Sequence, residues 1–336
     1  MTRSLVVPIL VLAVVLLGTV TEGEPQQAPM PVKIAYQPSF VPQLYVAREL
    51  KLFEKAGLAP EYIKFLTGPT MLSALKAGSA DIGYLSTIPM LAGLAQGLDV
   101  KVILISHDEV NGSGFVVQKD SGIQRLPDLR GKKIGLARGT GPYYCLKKAL
   151  QKANLTDRDV TILDMAPPTW LPAFLHRNVD GLAIWAPWIY RVEAEGGMIV
   201  LRCKDAGINS MPVPFVARTE FLQKNPEAVQ RFIHGFVLAD KAMRQNPGVG
   251  VRVVSEAVEV PVQIARSMWA DLIVPTVEQT VDPKQPYNIV GEGGTVQVMK
   301  DQAAFLLAEG FINTLPDATK AVDPAPLLRY LQNRRD

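Results

Sequence analysis

Two periods of hydrophobic and polar residues alternate along the chain from residue 32 onward. Short segments with a period of two are typical of β-strands, and longer segments with apolar residues every three to four positions are typical of amphipathic helices. The pattern predicts strands at 32–35, 61–65, 82–84 and 100–105, and helices at 42–51, 69–77 and 89–96. Because strands separated by helices need crossover connections, this order favours an α/β fold with a mostly parallel sheet.

A second α/β region begins near residue 115, and long helices follow it. Here the pattern predicts strands at 115–118, 133–137, 160–164, 182–185, 199–201 and 213–217, with helices at 142–152 and 170–177. Beyond these it predicts helices at 226–245, 261–271 and 296–309, and a long polar linker at 273–294. Strands in both halves of the chain, together with a length of 336 residues, favour two domains.

The N-terminus has the pattern of an export signal. Residues 5–17 form a nearly unbroken apolar run after Arg3, and a polar segment follows from Glu22. Such a run is shorter than the roughly 20 residues that a transmembrane helix needs. We predict a signal peptide at 1–23 and a periplasmic protein. An uncleaved N-terminal anchor is the alternative, since no clean A-x-A cleavage motif follows.

Composition excludes several classes of function. Lys and Arg number 35 against 32 Asp and Glu, and this net charge of +3 is too small to indicate nucleic-acid binding. Three His and two Cys offer few ligands for a metal site, and the sequence contains no HExxH, CxxC or GxSxG motif. We therefore expect the protein to bind no metal and no cofactor, and to have no enzymatic activity. In an exported protein Cys145 and Cys203 can form a disulfide; two buried thiols are the alternative.

Candidate binding residues cluster where predicted strands run into predicted helices. One junction is Arg138-Gly139-Thr140-Gly141, and another is Ser86-Thr87 ahead of Pro89. Backbone N–H groups at a helix N-terminus attract anions, and glycine lets a ligand approach the backbone. A purely geometric glycine turn and simple N-capping by a hydroxyl are the alternatives.

Two further segments follow predicted strands, at the sheet edge where open α/β sheets bind ligands. Tyr36 and Gln37 come after the first strand, and Trp185 ends the strand at 182–185. A solvated loop glutamine and a core tryptophan are the alternative interpretations.

In these junctions and in several other segments, the sequence resembles the nitrate/sulfonate/taurine-type substrate-binding proteins of ABC importers. The resemblance covers residues 32–246, about two thirds of the chain. It rests on IAYQ at 34–37, ELKLFEKAGL at 49–58, the AGSADIG segment within 75–97, LPDLRGKKIGLARGTG at 126–141, VDG at 179–181 with WAP at 185–187, and NPE at 225–227.

The resemblance implies a two-lobed periplasmic-binding-protein fold of type II, with the ligand held in a cleft between lobes. It divides the chain into a first lobe at 32–108 plus 215–336 and a second lobe at 109–214. It implies a monomer that delivers a small ligand to a membrane permease and its ATPase. The ligand contacts carried over are Tyr36, Gln37, Ser86, Thr87, Arg138, Thr140, Gly141 and Trp185.

The sequence leaves the identity of the ligand and the role of the protein open. Ser86-Thr87-Ile88 stands where members of the family often have glycine and serine, which argues against assigning taurine or nitrate specifically. The resemblance also allows bicarbonate, aliphatic or aromatic sulfonates, carboxylates and thiamine-precursor pyrimidines as ligands. An enzyme on the same scaffold, of the pyrimidine or menaquinone-precursor type, and a ligand-sensing partner of a membrane receptor are the alternative functions.

Overall fold

The computed structural model describes residues 28–66 and 68–334; the predicted signal peptide at 1–23 lies outside the described residues. The strands are β1 Met30–Tyr36, β2 Leu58–Lys64, β3 Ile82–Tyr84, β4 Val100–Asp108, β5 Ser113–Val117, β6 Lys133–Leu136, β7 Thr161–Asp164, β8 Gly181–Trp185, β9 Met198–Arg202 and β10 Pro212–Arg218. The helices are α1 Pro42–Glu49, α2 Leu52–Lys55, α3 Gly68–Lys76, α4 Thr87–Ala95, α5 Gly141–Lys152, α6 Pro167–Leu175, α7 Trp188–Ala194, α8 Thr219–Lys224, α9 Pro226–Gln245, α10 Pro247–Ala257, α11 Val262–Asp271, α12 Val277–Thr280, α13 Gly294–Ala308 and α14 Ala325–Asn333.

The strands form two five-stranded sheets with helices packed on them. The first has the order β2-β1-β3-β10-β4 and the second β7-β6-β8-β5-β9. Four strands of each sheet run in one direction, and β10 or β5 runs antiparallel between its neighbours. The prediction of an α/β fold with mostly parallel sheets is confirmed. The two antiparallel strands were not predicted, because a period of two carries no strand direction.

The chain passes between the sheets twice. It leaves the first sheet after β4, builds the whole second sheet, and returns to the first as β10. We call the first sheet with its helices the first lobe and the second sheet with its helices the second lobe. The residue boundaries predicted for the lobes, 32–108 plus 215–336 and 109–214, stay predictions.

Helix α9 packs on the neighbouring helices of the first lobe through a buried apolar face. Pro226 starts the helix, and its apolar stripe of Val229, Phe232, Ile233 and Phe236 is buried. This face packs on α1 and α2, where the rings of Phe232 and Phe53 stack with centroids 4.9 Å apart. The bounds predicted for this helix, 226–245, are confirmed because N-terminal proline and apolar spacing agree.

The segment predicted to be a long linker, 273–294, is folded onto the first lobe instead. It contains the short helix α12, where Val277 and Thr280 are buried, and a buried run of Tyr287, Asn288 and Ile289. The prediction was wrong because this polar sequence, with its Pro and Gly, also contains residues that contact strands distant in the chain. The backbone of Ile273, for example, forms a β-bridge with Asp108 of β4. Across residues 28–66 and 68–334, the helices include none with the length and apolar character needed to cross a bilayer.

Candidate ligand-binding site

A small cavity lies between the lobes, and both lobes contribute to its wall. The first lobe contributes Gln37, Ser39, Gly68, Tyr84, Ser86, Pro89 and Val213, the second contributes Thr140, Gly141, Pro142 and Trp185, and the connection between β4 and β5 contributes Glu109. We call it the interlobe cavity. Its free volume is about 20 Å³, room for about one water molecule. The lobes are therefore closed on each other, and a larger ligand requires their walls to move apart.

Two helix N-termini face this cavity from opposite sides. Ser86 is the N-cap residue of α4 in the first lobe, and Thr140 is the N-cap residue of α5 in the second. Neither side chain accepts a capping hydrogen bond from the first turn of its helix. The first-turn N–H groups and the positive ends of two helix dipoles are thus directed at one small volume, an arrangement that favours a bound anion.

The structure brings five of the predicted residues together in the cavity wall. They are Gln37, Ser86, Thr140, Gly141 and Trp185. The Gln37 Oε1 atom is buried and has no hydrogen-bond partner in the described part of the chain. The Thr140 hydroxyl donates to the Ala137 carbonyl over 2.6 Å, so it has to rotate away from that carbonyl to donate to a bound anion.

Trp185 closes one side of the cavity. It ends β8, its side chain is buried, and its ring meets the buried ring of Trp170 edge to face at 4.7 Å between centroids. Trp170 is itself fully buried and therefore holds Trp185 in position. Trp185 thus both contacts the cavity and packs in the core, so the two interpretations of this residue are compatible.

Three other predicted residues do not line the cavity. The Thr87 hydroxyl donates to Gln302 Oε1 of α13 over 2.5 Å, so it is turned away from the cavity. The Tyr36 hydroxyl accepts a hydrogen bond from Arg48 of α1 over 3.2 Å. Arg138 is exposed and reaches the Tyr143 hydroxyl at 3.2 Å. A ligand contact by any of these three stays a prediction.

Glu109, Tyr84 and Ser39 also line the cavity, although no sequence pattern predicted them there. Tyr84 donates its hydroxyl proton to the Phe40 carbonyl over 2.8 Å, and Ser39 bonds across the lobes to the Ala186 carbonyl over 3.2 Å. Glu109 is buried, and this burial, together with the nearby Asp108 carboxyl, raises the pKa of Glu109 to about 8. A charged residue directly after a strongly apolar strand was the signal that could have revealed it.

A second, wider groove lies outside the predicted site. It has a volume of about 980 Å³, is open to solvent, and runs between α5, the turn at 155–158 and α13. None of the eight predicted residues lines it. Within the described residues, no group of three or more His, Cys, Asp or Glu side chains is placed to hold a metal ion.

An interlobe bridge lies along this groove and holds the lobes together. The Glu309 carboxylate, directly after α13, accepts a hydrogen bond from the Tyr143 hydroxyl over 2.6 Å. It also forms an ion pair with Lys147 Nζ at 2.8 Å. Phe305 of α13 packs against the rings of Tyr143 and Tyr144 of α5. Because α13 also packs on α4, these contacts connect α4, at one wall of the cavity, to α5, at the other.

Cys145 and Cys203 form a disulfide whose Cα atoms are 5.3 Å apart. Cys145 lies on the first turns of α5, and Cys203 begins a short 3-10 turn directly after β9. The bond therefore ties the helix that carries Thr140 and Gly141 to the edge of the second sheet. Of the two possibilities left open by the sequence, paired and free thiols, the structure contains the paired one.

Comparison with known proteins places this architecture among binding proteins. The family model described as NMT1/THI5 like matches residues 37–248. A putative aliphatic sulfonates-binding protein of Bacillus subtilis is 28% identical over 306 residues, which are 90% of this chain and 88% of that protein. A putative ABC transporter periplasmic binding protein of Brachyspira hyodysenteriae is 26% identical over 241 residues, 66% of this chain and 67% of that protein.

Solved structures share the fold at lower identity. The periplasmic aliphatic sulphonate binding protein of Escherichia coli superimposes with a TM-score of 0.74 at 21% identity, over 88% of this chain and 92% of that one. A desulfurization enzyme in complex with biphenyl-2-sulfinic acid superimposes with a TM-score of 0.67 at 16% identity, over 90% and 99% of the two chains. The type II periplasmic-binding-protein fold is thereby confirmed, and it is a fold that binding proteins share with an enzyme.

Proposed function

The chain belongs to the NMT1/THI5-like family, and on that premise we propose that it is the solute-binding component of an ABC importer. In this role it captures a small organic anion between its lobes in the periplasm and delivers it to a membrane permease. The observation that carries the proposal is the pair of helix N-termini without side-chain caps, one from each lobe, that face a single cavity. A ligand held by both lobes stabilises the closed form, which links binding to conformation.

The ligand class follows from the same geometry and from the relatives. Helix N-termini recognise oxyanions such as sulfonate, nitrate or carboxylate groups, and the relatives include proteins named for aliphatic sulfonates and for taurine. Among the described residues, the wall of the interlobe cavity contains no Lys, Arg or His. Recognition of the anion therefore depends on backbone N–H groups and hydroxyls rather than on a basic side chain.

The shared fold of the desulfurization enzyme does not favour catalysis in this chain. Both cysteines, Cys145 and Cys203, are joined in the disulfide, so neither is available as a thiol nucleophile in the cavity. No contact in the described residues favours a sensor over a transport receptor either. The transport role thus rests on family membership and cavity geometry together.

A thermal-shift panel tests the proposal directly. Purified protein is heated with nitrate, bicarbonate, taurine, alkyl and aryl sulfonates, dicarboxylates and pyrimidines. A ligand present at 100 times its dissociation constant should stabilise the protein by about 2.7 kcal/mol, a shift of several degrees. Absence of a shift with every anion would contradict the proposed ligand class, and a shift with pyrimidines alone would favour the enzyme alternative.

Removing one hydroxyl from either side of the cavity should weaken binding. For Ser86→Ala we expect about tenfold lower affinity for the anion that shifts the wild type, because a hydrogen bond to a charged group contributes about 1.5 kcal/mol. For Thr140→Ala we expect a smaller loss, because its hydroxyl gives up the bond to the Ala137 carbonyl when it donates to the anion. Titration calorimetry measures the effect. Ser267→Ala, on the exposed face of α11, is the matched control and should bind like the wild type. Unchanged affinity in both cavity variants would exclude this site.

Weakening the interlobe bridge should lower affinity without touching the cavity. Glu309→Gln removes the ion pair to Lys147, and we expect the closed form to lose about 1 kcal/mol, which weakens binding roughly fivefold. Glu256→Gln, which removes an ion pair to Arg252 on the same helix, is the control. If calorimetry shows equal affinity for Glu309→Gln and the control, closure does not depend on this bridge.

A further inference from the structure

The interlobe cavity contains one side chain that conflicts with simple anion binding. Glu109 places a carboxyl group in a wall whose described residues include no Lys, Arg or His. An ionised carboxylate there would repel the very anion that the N-termini of α4 and α5 attract. Either the carboxyl is neutral when the anion binds, or the ligand carries a positive group, and the surroundings of Glu109 distinguish between these possibilities.

The backbone holds Glu109 at the cavity. Its N–H donates to the Met211 carbonyl over 3.0 Å, and its carbonyl accepts from the N–H groups of Gly112 and Ser113 over 2.9 Å each. A Cβ atom built on Gly141 would lie 3.2 Å from Glu109 Oε1. The carboxyl group therefore lies beside the first residue of α5, where the bound anion is proposed to sit.

The neighbouring Asp108 is held differently. Its carboxyl accepts hydrogen bonds from the backbone N–H groups of Val110 and Met211 over 2.9 Å each, and from the Ser210 hydroxyl. The Glu109 carboxyl has no ion pair and no comparable set of donors among the described residues. Of these two adjacent acids, Asp108 is a saturated structural acceptor and Glu109 is free to contact a ligand.

Most of the groups that face Glu109 either disfavour the ionised form of its carboxyl group or carry no charge that would favour it. Asp108 contributes a like charge, the Tyr84 phenol stays protonated because burial raises its pKa well above the usual value, and only the Ser113 hydroxyl acts in the opposite direction. His107, next to Asp108, is neutral because burial lowers its pKa to about 3. Since no cation of the described residues faces the carboxyl from the cavity wall, burial raises the pKa of Glu109 to about 8 and keeps it protonated below that pH.

We propose that Glu109 contacts the ligand as a neutral carboxylic acid and donates its proton in a hydrogen bond to an oxygen of the anion. This inference rests on the proposed function. It specifies the ligand as an oxyanion whose oxygen accepts from a carboxylic acid, in addition to the N–H groups of α4 and α5. It also makes capture depend on pH, because an ionised Glu109 has no proton to donate and repels the anion.

Affinity measured across pH tests the inference. The probes are ethanesulfonate and nitrate, which stay fully ionised from about pH 6 to about pH 9.5, so any dependence on pH belongs to the protein. We expect constant affinity below about pH 7 and about tenfold weaker binding at pH 9 than at pH 7, with proton uptake on binding seen as a buffer-dependent heat. In Glu109→Gln the amide keeps a donor and cannot ionise, so both pH dependence and proton uptake should disappear. Glu61→Gln, on the exposed edge of β2, should keep the wild-type profile.

Each outcome has a separate meaning. Binding that is independent of pH in the wild type, or that strengthens above about pH 8, overturns the inference while leaving the proposed function intact. Failure of both probes to bind at every pH overturns the sulfonate and nitrate classes of the proposed function and, with them, this inference.

The unliganded protein provides an independent measurement. Because folding raises the pKa of Glu109 from its ordinary value to about 8, the wild type should lose stability as pH rises from about 5 to 8. The unfolding temperature of Glu109→Gln relative to the wild type should therefore increase over this range. A constant difference between the two proteins would show that the carboxyl is not held neutral by the fold.

Discussion

Gly141→Val is expected to abolish ligand binding while leaving the protein folded. Gly141 is the first residue of α5, and a Cβ atom there would lie 2.6 Å from the terminal methyl of Met211 and 3.2 Å from Glu109 Oε1. The flexible end of Met211 can rotate away, so the fold can accommodate the change. The two further methyl groups of valine then occupy a cavity that has only about 20 Å³ of free volume.

The expected loss of affinity is at least 100-fold, or about 2.7 kcal/mol, because the side chain excludes the ligand from the first-turn N–H groups of α5. Titration calorimetry with the anion that stabilises the wild type measures it. Gly291→Val is the matched control, since no described residue beyond its two chain neighbours comes within 4 Å of the position its Cβ would take. Affinity within about threefold of the wild type for Gly141→Val would mean that the ligand binds elsewhere, for example in the outer groove between α5 and α13.

Removing the disulfide is expected to lower stability more than Ser86→Ala, Thr140→Ala or Glu309→Gln does. The bond between Cys145 and Cys203 closes a loop with a sequence separation of 58 residues. Constraining a loop of this size in the unfolded chain contributes about 4 kcal/mol in the chain-entropy estimate. The double variant Cys145→Ala/Cys203→Ala should therefore unfold at a markedly lower urea concentration than the oxidised wild type.

Urea denaturation followed by circular dichroism measures this difference. Wild type denatured by urea in the presence of a reducing agent is the control. Its free energy of unfolding should approach that of the double variant. Because neither cysteine lines the interlobe cavity, the variant should still bind the anion at temperatures where it remains folded. A stability difference below about 1 kcal/mol between the oxidised wild type and the double variant would show that the bond adds little.

The helix starts at the cavity were predictable because their signals are local. A hydroxyl or glycine followed by proline stops a strand and begins a helix within a few residues. This pattern placed Ser86 after a strand in one candidate lobe, and Thr140 and Gly141 after a strand in the other. Because α/β sheets bind ligands at the carboxyl ends of their strands, the two junctions could be assigned to one site between the lobes.

Other parts of the site depend on contacts that no local pattern records. The Thr87 hydroxyl was a plausible ligand donor, but its bond to Gln302, 215 residues away, turns it from the cavity. Glu109 was missed because a single charged residue in a connection is usually solvated, and only the packing of β4, β10 and α5 around it creates its burial. The direction of β5 and β10 is likewise set by the route of the chain between lobes rather than by either strand's own sequence.

The proposed binding mode requires one small anion to be held between the lobes by the N-termini of α4 and α5 together. A crystal structure of the complex with the best ligand of the panel tests it most directly. We predict oxygens of the anion within hydrogen-bond distance of first-turn N–H groups of both helices, next to Ser86, Thr140 and the Glu109 carboxyl. A ligand bound to one lobe alone, or in the outer groove between α5 and α13, would contradict this binding mode.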